Sequence, residues 1–229
     1  CKIYSIDPLL VDYIKSKDEV AYKKLGFFPD PVDSPVVHES NQTRLDLGTN
    51  QDSKVLMVYG VIDERKNIKL ILDALNTGSI DAGWTIWLIG KQSDAIRLLL
   101  NQKEYRHIVE TGKVLSIDRF VSKVEEEKYL SACDVVWVVY SGHLAMSGVL
   151  VKAGVYGKPV LGSMYGLISY YIRKFDCGIS VPENIDRVVS AFDALNSKDV
   201  RFRLGNNGSR GFSNFTWNEA ENIILREIN

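Results

Sequence analysis

The chain has 229 residues, 45% of them apolar, enough to bury the core of one large domain or of a domain with a fragment beside it. Its 28 Lys and Arg balance 29 Asp and Glu, and the net charge of -1 points to neither nucleic acid nor an anionic membrane as partner. The apolar runs are far shorter than the ~20 residues a membrane span needs. Three widely spaced cysteines, Cys1, Cys133 and Cys177, read as reduced core thiols of a cytoplasmic protein.

The first residues, CKIYSIDPLL, read as the middle of something, so the expectation is a piece of a longer protein. Pro8 to Lys24 predicts a helix, Phe27 to Val32 a turn-rich segment, and His38 to Ser53, polar and without hydrophobic period, a linker or exposed loop. From Lys54 onward strands and helices alternate, which predicts an α/β fold: a Rossmann-like parallel sheet of about six strands with helices on both faces. The strand candidates are Val55–Tyr59, Thr85–Ile89, His107–Leu115, Asp134–Tyr140, Val160–Gly162 and Gly178–Val181. Helices are expected near Lys66–Asn76, Asp94–Lys103, Lys123–Cys133, Leu144–Tyr156 and Leu167–Phe175, and then at Ile185–Leu195, Val200–Ser209 and Trp217–Ile228.

Two stretches carry candidate chemistry. In VLMVYGVIDERKNIKLILDAL a strand ends at Gly60, and the following helix starts with Arg65 and Lys66. Cations there oppose the helix dipole and are better explained by an anion seated at the helix start, although two solvated surface residues would look the same. In DVVWVVYSGHLAMSGVLVKAGVYGKPVLGS an unbroken apolar strand runs into a loop at Ser141, Gly142 and His143, where open α/β sheets hold ligands. The helix that follows carries Lys152 as its one charge, and a lone cation on an apolar helix needs water, a carboxylate or a phosphate. The Glu125-Glu126-Glu127 run reads as an acidic first turn and a solvated face. No carboxylate cluster calls for a metal, and no cofactor is expected.

The succession YGVIDERKNIKLILDAL, WTIWLIG, ACDVVWVVYSG, SGVLVKAGVYGKPVLGSMYGL and CGISVPENIDRVVSAFDALNSKDVRFRLGNNGSRGFSNFTW resembles the C-terminal domain of group 1 glycosyltransferases, retaining enzymes built of two Rossmann-like domains. The resemblance implies that residues 54–213 are the nucleotide-sugar-binding domain. Residues 1–53 would be a remnant of the N-terminal domain plus linker, and 214–229 a helix that crosses back. The rest of the N-terminal domain would be missing. Gly60 and Lys66 match the family's diphosphate-binding positions, but the usual Arg after the Gly is Val61, with Arg65 as a stand-in. The family's two glutamates, one in the loop and one on the buried helix, fall on Leu144 and Lys152, and no Glu lies between Glu127 and Glu183.

A carboxylate accepts hydrogen bonds from ribose hydroxyls, whereas an ammonium only donates, so Lys152 cannot copy that clamp. It would instead pair with a phosphate, as in a divergent branch of the superfamily with His143, Ser147 and Lys152 as its own site residues, or else the site has decayed. The Tyr165-Gly166 loop would lie along the donor phosphates. Implied partners are a nucleotide-sugar donor and a glycan or lipid-linked acceptor, with the inner membrane face as a peripheral location. Two rivals stand beside a transferase: a non-catalytic binding module that has lost its carboxylates, and a sugar-nucleotide epimerase.

Overall fold

The structure is a computed structural model and describes residues 2–228; Cys1 lies outside them. The chain begins with β1 (Ile3–Ser5), α1 (Pro8–Lys17), α2 (Glu19–Tyr22) and β2 (Leu25–Phe27), where β1 and β2 pair in parallel as a two-stranded sheet. The helix expected over Pro8 to Lys24 is broken at Asp18, whose extended backbone ends α1 and whose carboxylate caps α2 through the Ala21 amide. The supposed linker also contains a helix, α3 (Ser40–Asp46). It has no apolar stripe because the side chain that anchors it is Arg44, 9% exposed, which donates to the carbonyls of Ala132, Gln51 and Ser53 and pairs with Asp134 at 2.8 Å.

The main sheet has six strands, all parallel: β3 (Lys54–Tyr59), β4 (Trp84–Ile89), β5 (Val114–Ile117), β6 (Val135–Val138), β7 (Val160–Ser163) and β8 (Gly178–Val181), in the order β5-β4-β3-β6-β7-β8. The expected α/β class therefore holds. Both faces are covered, as a parallel sheet requires. Leu56 and Val58 of β3 face one apolar layer with Ile68, Ile71, Phe192 and Leu195, while Val55 and Met57 face another with Leu130, Leu150, Ile168 and Phe212.

The covering helices are α4 (Ile68–Asn76), α5 (Asp94–Leu100), α6 (Lys103–Glu110), α7 (Lys123–Ala132), α8 (Gly148–Val155), α9 (Gly166–Phe175), α10 (Ile185–Leu195), α11 (Lys198–Gly211) and α12 (Trp217–Ile228). Residues 107–110, expected as strand, finish α6, because Tyr105 and Ile108 are buried three residues apart on one helical face while Arg106 and His107 are exposed. The helix expected from Lys66 begins only at Ile68. Asn67, at φ 56°, separates α4 from a 3-10 turn over Glu64–Lys66. The helix expected from Leu144 starts at Gly148, leaving residues 141–147 as a loop.

Candidate functional site

The strand order reverses between β3 and β6, the two strands that precede the Gly60–Lys66 and Ser141–Ser147 segments. Connections from these strands leave in opposite directions and open a crevice at their carboxyl ends, the usual ligand site of open α/β sheets. The two segments are tied together there. The Ser141 amide donates to the Arg65 carbonyl at 2.8 Å, and the Trp137 indole donates to the Lys66 carbonyl at 2.8 Å.

Lys66 is the buried cation at this edge, 3% exposed. Its ammonium donates to the Tyr59 carbonyl at 2.7 Å and to the Tyr140 hydroxyl at 2.9 Å, and lies 4.6 Å from the centre of the Tyr140 ring. Burial lowers its pKa to about 8; the neighbouring Arg65 charge adds to the shift and Asp63 opposes it. A Cβ placed on Gly60 would sit 3.8 Å from the Lys66 Nζ. Arg65 is exposed, with its guanidinium 5.6 Å from the Tyr140 ring centre and its Nε 3.7 Å from an Asp63 carboxylate oxygen.

His143 packs edge-on against Tyr140 at 5.5 Å between centroids, and its Nε2 lies 3.2 Å from the Met146 carbonyl. Ser147 is the N-cap of α8, but its hydroxyl makes no cap bond to the helix. Gly166, at φ +67°, has a role inside the protein: a Cβ there would lie 2.7 Å from the Leu144 Cα, and the next amide, Leu167, donates to the Leu144 carbonyl at 2.9 Å. Only glycine lets α9 start this close to the loop. The Tyr165 hydroxyl pins the other side, accepting from the Gly142 amide at 2.9 Å and lying 2.6 Å from the Tyr140 carbonyl and 2.9 Å from the Glu183 carboxylate.

Gly60, Arg65, Lys66, His143, Ser147 and Gly166 are thus gathered at one sheet edge, with Tyr140 at their centre. Tyr140 escaped sequence reasoning because it closes an apolar strand and reads as core; the signal was a hydroxyl at the last position before a polar loop. Lys152, expected to share this cleft, does not. It lines a neighbouring crevice with Val32, Asp33, Lys123, Glu126, Glu127 and Tyr156. Its ammonium pairs with Glu126, whose other carboxylate oxygen accepts from the Tyr59 hydroxyl at 2.5 Å. The acidic run is correspondingly not a solvated face: Glu126 holds Lys152, Glu125 closes the capping box of α7 with Ser122, and Glu127 meets His38 at 3.2 Å. Cys133 and Cys177 are buried, their thiols pushed up to about 11 and about 12 by desolvation. Among the described residues no three His, Cys, Asp or Glu side chains converge as a metal-binding group.

Residues 39–210 match the family model of the group 1 glycosyl transferases. The chain belongs to this family. No curated protein sequence matches it. Its fold is that of solved glycosyltransferase structures. HepE from Anabaena in complex with UDP superposes at a TM-score of 0.80 with 14% identity, over 99% of this chain and 63% of that one. Sucrose-phosphate synthase from Thermosynechococcus elongatus gives 0.72 and 17%, over 98% and 57%. The C-terminal domain of the group 1 family protein LpcC from Francisella tularensis gives 0.66 and 15%, over 80% of this chain and 96% of that domain. The chain therefore spans 57–63% of the length of the first two neighbours.

Val61 is 52% exposed and Leu144 68% exposed, so neither fills the core. Lys152 is paired with a carboxylate from α7. No helix among the described residues is long and apolar enough to cross a membrane.

Proposed function

We propose that this chain is the donor-binding half of a retaining glycosyltransferase, with the diphosphate of a nucleotide-sugar seated at the β3–β6 switch point. The carrying observation is Lys66: a buried cation whose two hydrogen-bond partners are neutral oxygens. An ammonium has three donors, so one remains for a ligand oxygen. Arg65 stands on the open side of the same ring, and the start of α8 adds amide groups that helices leave without internal partners. Positive groups converging there would stabilise the charge that develops on a departing nucleoside diphosphate.

The acceptor, a glycan or lipid-linked sugar, would be brought by a second lobe, of which residues 1–53 and 214–229 are the adjoining parts. No general base is required of this half if the donor's own phosphate serves the acceptor hydroxyl. Membership of the family and the UDP held by HepE support this reading. A second reading, a binding module without transfer activity, is favoured by Leu144 and by the pairing of Lys152 with Glu126.

Calorimetric titration with UDP, GDP and their sugars tests the donor reading. Loss of a charge-assisted hydrogen bond costs about 1.5–3 kcal/mol, so Lys66→Ala should weaken nucleotide binding roughly 10- to 100-fold. Lys152→Ala, whose ammonium is already satisfied by Glu126, should change it by less than about threefold on the tenfold-per-1.4 kcal/mol scale. Nucleotide affinity unaffected by Lys66→Ala would move the donor elsewhere. Binding without sugar transfer, in the protein with its second lobe, would decide for the non-catalytic module.

A further inference from the structure

We infer that Tyr140 is the positioning residue of this site: its hydroxyl fixes the Lys66 ammonium beside the start of α8, so that the amine's third proton and the helix amides that Ser147 leaves uncapped are both left to a phosphate. The inference rests on the donor reading above and adds a residue that the family's pattern does not supply.

Two observations carry it. The Tyr140 hydroxyl accepts from Lys66 at 2.9 Å while the Tyr59 carbonyl takes a second ammonium proton at 2.7 Å, so the amine is held between the ends of β3 and β6. A serine at an N-cap ordinarily accepts from an amide two or three residues on. Ser93, Ser122 and Ser197 do so, to Ile96, Glu125 and Val200 respectively, whereas Ser147 makes no such bond.

Tyr140 is itself locked. Its amide donates to the Ser163 hydroxyl at 2.7 Å, its carbonyl takes the Tyr165 hydroxyl at 2.6 Å, and burial pushes its phenol up to about 12, so it stays a neutral hydroxyl across the working range. The charged and titratable groups around the pair are Arg65 and Asp63 from the β3 loop, His143 from the β6 loop, and Glu183 behind Tyr165. None of these accepts a hydrogen bond from Lys66, so the hydroxyl is the one side-chain acceptor among the described residues.

The test uses the full chain labelled with 13C at lysine Cε, with Lys66 assigned by Lys66→Arg, and inorganic pyrophosphate as the probe. Tyr140→Phe keeps the ring and deletes the acceptor. The Lys66 midpoint should fall by at least half a pH unit, about threefold in its acidity constant, and pyrophosphate should bind about five- to tenfold more weakly. An unchanged Lys66 midpoint overturns the inference whatever happens to affinity, because a purely structural tyrosine would not move it. Should the variant fail to fold, the wild type still decides. Its Lys66 Cε and Gly148 amide signals should shift with a single Kd for pyrophosphate; a response at one without the other, or none, overturns the shared cradle. If pyrophosphate binds but no nucleotide-sugar does, the donor reading fails and the role of Tyr140 stands.

Discussion

With its ammonium buried and its pKa near 8, Lys66 should tie nucleotide affinity to pH in a window where few lysines titrate. A diphosphate favours the charged amine, so the complex holds the proton more tightly than the free protein. Affinity should be flat from pH 7 to 8, where the nucleotide's own phosphate is already ionised, and then fall by up to tenfold per unit above 8. Titrations at pH 7, 8 and 9 measure it, and Lys66→Arg, which stays charged, should flatten the profile. Folding is linked in the opposite sense. The unfolded chain keeps its lysine protonated to about 10.5, so stability from this group rises between pH 8 and 10.5 and is lost as pH falls through 8. A fall in nucleotide affinity between pH 7 and 8 in place of the plateau would assign the titration to another group.

At the scale of elements, the structure depends on residues whose importance is geometric. Arg44 fastens α3 to the sheet by donating to three backbone carbonyls and one carboxylate, and the Asp134 it pairs with also takes the Val55 amide at the start of β3. Arg44→Ala should cost about 3–5 kcal/mol, as removal of one partner from a buried ion pair does, and chemical denaturation should show it as a lower midpoint with an unchanged slope. Where α8 crosses α11, a Cβ on Gly154 would lie 2.1 Å from a ring carbon of Phe212, which is itself clasped by Tyr171, Phe175 and Phe215. Gly154→Val should therefore destabilise by about 1–3 kcal/mol through overpacking, even though glycine is a poor helix former.

What could be read in the sequence follows from the same physics. β3, β4 and β6 were legible because strands buried on both faces must be nearly all apolar. The helix that holds Arg44 was not, since its anchor is a charge satisfied by carbonyls contributed from distant turns. Nor was the Lys152–Glu126 pair, because nothing in the local pattern shows that α7 brings a carboxylate to α8. Tyr140 was hidden for a related reason: its ring belongs to the core and its hydroxyl to the site.

For the whole molecule, the unequal sizes of the two sheets set a hierarchy of stability. The six-stranded sheet lies between two apolar layers, and the central strands β3, β4 and β6 are buried on both faces. The β1–β2 pair has no buried side chain, and α1 contributes one, Val11. A two-stranded sheet alone is marginal in water. Its ties to the rest are the Phe27–Phe215 ring contact, 6.2 Å between centroids, and Val32, whose amide donates to the Phe215 carbonyl at 3.0 Å and whose carbonyl accepts from Trp217 at 3.3 Å. In native-state hydrogen exchange, amides of β3, β4 and β6 should therefore open only with global unfolding, while those of β1, β2 and α1 should exchange by local opening several kcal/mol lower. Shortening α12 from its end should lower the protection of β2 before that of β3, because Phe28 shares an apolar surface with Ala220, Ile224 and Leu225. Equal protection in β1 and β3 would make the N-terminal strands part of the core's cooperative unit.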